Sequence, residues 1–383
     1  MTALPGMDME EKMEGTPQEL VEAILRKAVE AGISDIHIEP MDGCVRVRLR
    51  RDGVLFPLEE LPLDQLDKVI ARLKIMSSLD IANKRLPQDG RFAWQNGERR
   101  VDMRVSTMPT VRGEKMVIRI LDSGKVNLEL DKLGMDVRAV GLIRKIIHAN
   151  KGLCLLCGPT NSGKTTTLYA ALRELQTASV SIATLEDPVE YNVEGLCQSQ
   201  INRKSGLLFI NGLRALLRQD PDILVIGEIR DKETAEIAVR AALTGHLVFS
   251  TIHAGSAVEV PIRLMDMGIE PYLTADALLG ITSQRLVRRL CMHCRIAAAE
   301  PETFSYSPSG CEQCFHTGYN GLVSLCEVIT VGKNLRKAIR TCADADVLHE
   351  AAGADGAFFM EDAISQALKC GKTDWMEIQR ICD

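Results

Sequence analysis

Apolar positions along this chain follow two regimes, and the change between them divides it. Leu20, Val21, Ile24, Leu25, Ala28 and Val29 make one helical stripe, opened by Thr16-Pro17-Gln18-Glu19 and closed by Gly32. The opening supplies an N-cap, a proline at the first helical position and a capping-box glutamate. Ile36 and Ile38 then alternate in a strand, Asp42-Gly43 makes a turn, and Val45, Val47 and Leu49 alternate with Arg46, Arg48 and Arg50 in a second strand. Leu61 to Leu79 reads as another helix; Phe92 to Trp94, an Asn96-Gly97 turn, Val101 to Ser106 and Met116 to Leu121 complete an α+β domain over 16–121, roughly 105 residues. Asp122 to Asp131 is polar, holds Ser123-Gly124 and shows no apolar period, which sets a linker at 122–132 and a plausible hinge. From Leu133 the pattern becomes helical stretches alternating with continuous apolar runs: Leu153 to Cys157, Val180 to Leu185, Ile223 to Ile226 and Leu247 to Thr251. That alternation predicts βαβ units and a mostly parallel sheet, an α/β domain over 133–383. Residues 1–15 are polar, acidic and methionine-rich, and read as a disordered tail.

With 383 residues and 46% hydrophobic content, each regime has enough apolar surface for its own core. A net charge of −6 argues against a broad, sequence-independent grip on nucleic acid, so none is expected as a partner. No N-terminal apolar segment resembles a signal peptide, and the one long uncharged stretch, Ala241 to Val258, is broken by Gly245, His246 and His253. Twelve cysteines in that context read as thiols and metal ligands rather than disulfides.

Between the run ending at Cys157 and a helical stretch from Lys164 to Leu172 lies Gly158-Pro159-Thr160-Asn161-Ser162-Gly163-Lys164-Thr165, a full match to the phosphate-binding loop G-x-x-x-x-G-K-[ST]. Its glycines let successive backbone N–H groups and the following helix N-terminus point at one anion. Lys164 would reach the β- and γ-phosphates of ATP and Thr165 would ligate Mg²⁺, with Thr166 next in the same turn. Glu186 and Asp187, with Glu190 beyond them, follow the next apolar run, where acids hold a metal through water or polarise an attacking water. In Asp220-Pro221-Asp222-Ile223-Leu224-Val225-Ile226-Gly227-Glu228, Gly227 stands where many such ATPases end the strand in Asp. Glu228 is therefore the candidate general base; Asp222, about 20 Å away along an extended strand, reads as structural. His253 closes the last run and could sense the γ-phosphate; His246, at its entry end, could face an interface.

In order and spacing, GPTNSGKT, TLEDPVE, DPDILVIGEIRD and TGHLVFSTIHAGSA resemble the type II secretion and type IV pilus assembly ATPases, a superfamily with a RecA-like core. SDIHIEP at Ser34 to Pro40 and RLPQDGR at Arg85 to Arg91 resemble that family's preceding domain. The resemblance implies a hexameric cytoplasmic motor, peripheral to the inner membrane through secretion or pilus platform proteins, with its ATP site completed by arginines. Carried over, these are Arg104 and Arg119 from the first domain and Arg214 and Arg218 from the second. A planar, permanent guanidinium suits the charge on a transferring phosphoryl group better than a hydrated lysine. Typical members carry a further N-terminal domain, whereas about 15 residues precede the first helix here; a truncated piece or a short natural form is expected.

Cys291-x-x-Cys294 and Cys311-x-x-Cys314, sixteen residues apart, fit a tetrahedral Zn²⁺ site with no open position, within a module at 286–327 ahead of a helical part at 328–383. Cys154 and Cys157 share the spacing but lie in a strand and read as core. The family's assembly ATPases carry such a module and its retraction ATPases generally lack it. Leu322 and Cys326 depart from the family pattern, where an arginine and an aromatic residue are usual. The reading is an ATPase powering type II secretion pseudopilus or type IV pilus assembly. Its alternatives are a retraction or DNA-uptake motor, a RecA-like nucleic-acid translocase, and a nucleotide-binding scaffold without turnover.

Overall fold

A computed structural model describes residues 15–97, 99–121, 128–297 and 306–382. The expected tail and most of the expected linker lie outside the described residues. Two compact units emerge. The first contains α1 (Pro17–Glu30), β1 (Asp35–Pro40), β2 (Cys44–Arg51), β3 (Val54–Pro62), α2 (Leu66–Met76), β4 (Gln88–Asn96), β5 (Arg99–Thr110) and β6 (Gly113–Leu121). The strands form one sheet in the order β3-β2-β1-β6-β5-β4. One sheet face is apolar: Ile36, Ile38, Val45, Val47, Met103 and Ile118 are buried with Leu20, Ile24 and Leu25 of α1 and Val69 and Leu73 of α2. Thr16 caps α1 through the capping box expected of it. The helix read over 61–79 is shorter than expected. Leu61 is the last buried residue of β3, paired with Val45, and Pro62 ends that strand before the helix begins.

The second unit opens with α3 (Val137–Ile147), β7 (Gly152–Cys157), α4 (Lys164–Leu175), β8 (Ile182–Glu186), β9 (Cys197–Gln200), α5 (Phe209–Leu216), β10 (Ile223–Ile229), α6 (Lys232–Leu243) and β11 (Leu247–Ile252). There follow α7 (Glu259–Asp266), α8 (Pro271–Ala277), β12 (Leu278–Leu290), the two-residue strands β13 (Ile296–Ala297) and β14 (Tyr306–Ser307), and β15 (Tyr319–Thr330). Four helices end the chain: α9 (Lys333–Arg340), α10 (Ala345–Ala354), α11 (Met360–Lys369) and α12 (Trp375–Cys382). The main sheet runs β15-β12-β7-β11-β10-β8-β9. Pairings among β12, β7, β11, β10, β8 and β9 are parallel. Every residue of β7, β8 and β11 is buried, as strands covered on both faces require. Cys154 and Cys157 are among them, and burial pushes both thiols well above their ordinary value.

The sequence reading put the four-cysteine module inside the C-terminal domain. Arg288–Ala297 and Ser307–Gly321 instead group with the first unit. The reason is a set of contacts to the β2–β3 turn. The Arg51 guanidinium lies 4.3 Å over the Phe315 ring and donates to Asn320 Oδ1 at 3.1 Å, and Asp52 accepts from Gly321 N at 3.0 Å.

Candidate functional site

Because β7, β11 and β10 are adjacent and parallel, with Cys157 beside Ile252 and Ile252 beside Ile229, their carboxyl ends share one sheet edge. The phosphate loop leaves β7 there, Glu228 is the penultimate residue of β10, and His253 follows β11 directly. Gly158 and Gly163 hold φ of +134° and +87°. A Cβ on Gly158 would fall 2.4 Å from the Gln284 carbonyl oxygen, and one on Gly163 would fall 2.7 Å from Gln284 Nε2. Neither position has room for a side chain, so the backbone itself lines the cradle. The first turn of α4 begins at Lys164 and directs its free N–H groups into it. Pro159, Thr160 and Asn161 are exposed, Ser162 is buried, and Lys164, Thr165 and Thr166 are half-buried. Lys164 Nζ donates to the Gly158 and Pro159 carbonyls, each at 2.8 Å. Burial lowers the Lys164 pKa and nearby Arg285 adds to this, while Glu228 opposes it.

Glu228 is held from two sides. Arg230 Nε donates to its Oε2 at 2.7 Å, and His253 Nε2 lies 2.9 Å from its Oε1. Thr251 Oγ1 donates to the Gly227 carbonyl at 2.8 Å, which fixes the backbone just before the carboxylate. Glu228 and His253 border an open pocket lined also by Ile229, Arg230, Arg263 and Met267. An acid facing solvent beside a phosphate loop suits it to orient water.

Glu186 was grouped with the catalytic acids, but it is 6% exposed. Its Oε2 accepts from the Tyr169 hydroxyl on α4, and its Oε1 accepts from Thr184 Oγ1 at 2.6 Å. Both oxygens are engaged inside the protein. Asp187, the next residue, has a side chain 47% exposed, 3.5 Å from Arg203. Asp222 sits at the opposite strand end, where its carboxylate accepts from Ser181 N at 2.7 Å, a structural bond. His246 Nδ1 donates to the Ala241 carbonyl at 3.1 Å and so closes the end of α6.

Of the four arginines, Arg104 and Arg119 are directly paired across β5 and β6, and Asp35 on β1 stands opposite Arg119. Arg119 Nε is 3.1 Å from Asp35 Oδ1. Two guanidinium residues side by side on a sheet repel each other, and the Asp35 carboxylate at Arg119 offsets part of that cost. Arg214, on α5, pairs with Glu233 at 2.7 Å, and Arg218 donates to the Arg214 carbonyl at 2.9 Å. Sequence reasoning missed Gln284 and Arg285 of β12. The Gln284 side chain accepts from Thr167 Oγ1 at 2.8 Å beneath the phosphate loop, and Arg285 Nη2 donates to the Gly255 carbonyl at 2.7 Å. Their approach to the loop depends on β12 lying beside β7, which no local pattern announces.

The four expected cysteines meet. Their sulfurs all lie within 4.8 Å of one another. Cys291–Cys311, Cys294–Cys314 and Cys311–Cys314 are 3.8, 3.7 and 3.8 Å apart. Four thiolates at ~2.3 Å from a tetrahedral zinc ion stand about 3.8 Å apart, so the set fits the metal. Burial opposes ionisation of Cys314, yet N–H donors from Cys311 and Gly318 outweigh it and bring the thiol down to about 7. The departures from the usual pattern are accommodated: Leu322 is 41% exposed and Cys326 is buried in β15.

A family model described as type II/IV secretion system protein matches residues 10–380. The type II secretion system protein E of Klebsiella pneumoniae is 45% identical over 375 residues, 95% of this chain and 75% of that protein. The type II secretion system protein HxcR of Pseudomonas aeruginosa is 44% identical over 98% of this chain and 79% of its own length. Among solved structures, the pilus retraction motor PilT with bound ADP is 27% identical with a TM-score of 0.66, covering 96% of this chain and 97% of that one. The ATPase DotB of Legionella pneumophila, at 21% identity and a TM-score of 0.73 over 97% of each chain, shares the fold. The loop, acid and histidine gathered at one sheet edge, with these likenesses over nearly the whole length, make the chain a secretion ATPase that belongs to the type II/IV secretion system protein family.

Proposed function

We propose that this ATPase powers pseudopilus assembly in type II secretion, working as a cytoplasmic hexamer against the cytoplasmic parts of inner-membrane platform proteins. The observation that carries the catalytic part is the meeting of the phosphate loop, Glu228 and His253 at the carboxyl ends of β7, β10 and β11. Residues 158–166 would hold the triphosphate of ATP, with Lys164 leaving its carbonyl partners for the β- and γ-phosphates and the Thr165 hydroxyl available to Mg²⁺. Bound Mg²⁺ neutralises charge on the phosphates. Glu228 orients and deprotonates the attacking water, His253 reports the γ-phosphate to it, and half-exposed Asp187 stands by as a second acid for metal-bound water. Glu186 acts from inside by tying α4 to β8. The four cysteines would hold a structural Zn²⁺, whose role is to keep Arg288–Ala297 and Ser307–Gly321 folded. Among the described residues no helix is long and apolar enough to cross a membrane, in keeping with contact through partners.

Arg104 and Arg119 supply positive charge to the transferring phosphoryl group once the ring has assembled, which makes hydrolysis depend on assembly. The test is specific activity per chain across a dilution series, with oligomeric state followed by light scattering. Activity should rise as rings form, and Arg104→Ala and Arg119→Ala should each lower kcat more than ATP affinity. A dilute monomer as active as the concentrated enzyme would contradict the ring mechanism.

A further inference from the structure

Glu327 lies in the middle of β15, 5% exposed, in a strand whose residues from Val323 to Ile329 are all buried. A carboxylate in such a place costs stability unless a strong donor meets it. The donor is the Ala257 backbone N–H, 3.0 Å from Glu327 Oε2. Burial raises the Glu327 pKa, opposed by that bond. Ala257 belongs to the short loop 253–258 between β11 and α7, which begins with His253. Two further bonds grip the same loop: Arg285 Nη2 to the Gly255 carbonyl at 2.7 Å, and Glu259 Oε2 from Gly255 N at 2.8 Å. The Cys157 thiol, last in β7 before the phosphate loop, donates to the Ser256 carbonyl at 3.5 Å. Glu327 is the only one of these partners carried by β15, the sheet strand furthest from β10.

We infer that Glu327 is a positioning residue that fixes the 253–258 loop and through it the His253 imidazole against Glu228. An apolar residue there would leave the fully buried Ala257 N–H without an acceptor, so the acid ties the loop to β15 through that bond. With that bond gone, the loop end distal to His253 is freed, and the 2.9 Å contact between His253 and Glu228 becomes one of several arrangements. The inference rests on the reading of His253 as the γ-phosphate reporter.

The test compares Glu327→Met, which keeps volume and removes the acceptor, with Glu327→Gln, whose amide oxygen still accepts from Ala257 N. Full-chain variants are assayed for kcat, for affinity with a fluorescent ATP analogue in Mg²⁺, and for melting. Glu327→Met should lose about tenfold or more in kcat with affinity within about threefold, and Glu327→Gln should recover to within about threefold of the parent. Because the fully buried Ala257 N–H loses its acceptor, Glu327→Met lowers Tm under either role; the positioning role is separated from a merely structural one by a fall in kcat at near-parental affinity and its recovery in Glu327→Gln. In a His253→Ala background, Glu327→Met should cost less than about twofold further, since two residues acting as one unit do not add. If His253→Ala lowers kcat but Glu327→Met does not, the inference falls and the reading of His253 stands. If His253→Ala leaves kcat intact, the reading of His253 falls and the inference with it. Additive losses in the double variant overturn the inference alone.

Discussion

Removing one hydroxyl tests how the phosphate-loop helix is anchored. Tyr169 is fully buried on α4, and its ring stands edge-on to Tyr191 with centroids 6.0 Å apart at 71°. Tyr169→Phe keeps the ring and that contact but takes the phenol from Glu186 Oε2. Thr184 still donates to Oε1 at 2.6 Å, and Gln198 Nε2 stands 3.4 Å from it, too far to replace the phenol. A hydrogen bond to a buried charged group contributes about 1.5–3 kcal/mol. For a unit of this size each kcal/mol moves Tm by about 2–4 °C. The C-terminal unit should therefore melt about 3–12 °C lower by scanning calorimetry. Because α4 begins at Lys164, ATP should also bind more weakly. A single variant that melts within about a degree of the parent refutes the claim that this bond anchors the helix.

Elemental analysis should find about one Zn²⁺ per chain, lost in Cys291→Ser or Cys311→Ser, with hydrogen exchange rising across 288–321 while the sheets stay protected; metal-free protein with four reactive thiols would dismiss the metal. Gly158→Ala should abolish nucleotide binding, measured by fluorescence titration, because its Cβ would meet the Gln284 carbonyl oxygen at 2.4 Å in a backbone with φ of +134°. Burial raises the Glu39 pKa, but Lys115 at 2.8 Å and Arg48 at 2.7 Å outweigh it and hold it below 4.5. A depressed folded pKa stabilises above the unfolded value and is lost as pH falls through the folded one. The urea midpoint of the N-terminal unit should accordingly drop on acidification below about 4.5, less steeply in Glu39→Gln; identical slopes would remove Glu39 as a cause.

What the sequence announced is what local spacing encodes. The phosphate loop is eight contiguous residues between a strand and a helix, and the buried strands β7, β8, β10 and β11 are continuous apolar runs. The four sulfurs meet because each C-x-x-C already brings two together. What it concealed depends on distant partners. Glu186 reads as a site acid until Tyr169, seventeen residues earlier, is seen to close over it. Gln284 reaches Thr167 across 117 residues, and Glu327 reaches Ala257 across 70. β3 went unread because Val54–Pro62 contains two prolines and buries only Leu58 and Leu61, so alternation is weak and Leu61 was lent to the next helix.

The most direct test of the account concerns Glu228, whose carboxylate stands at the end of β10 between Arg230 and His253. Glu228→Gln is nearly isosteric and leaves the phosphate loop untouched. Single-turnover hydrolysis and nucleotide titration should be run on the same preparation. The account predicts ATP affinity within about threefold of the parent and a hydrolysis rate lowered by about a hundredfold or more, the contribution of a general base. Turnover near the parental rate would contradict it and move the base to another acid at this sheet edge.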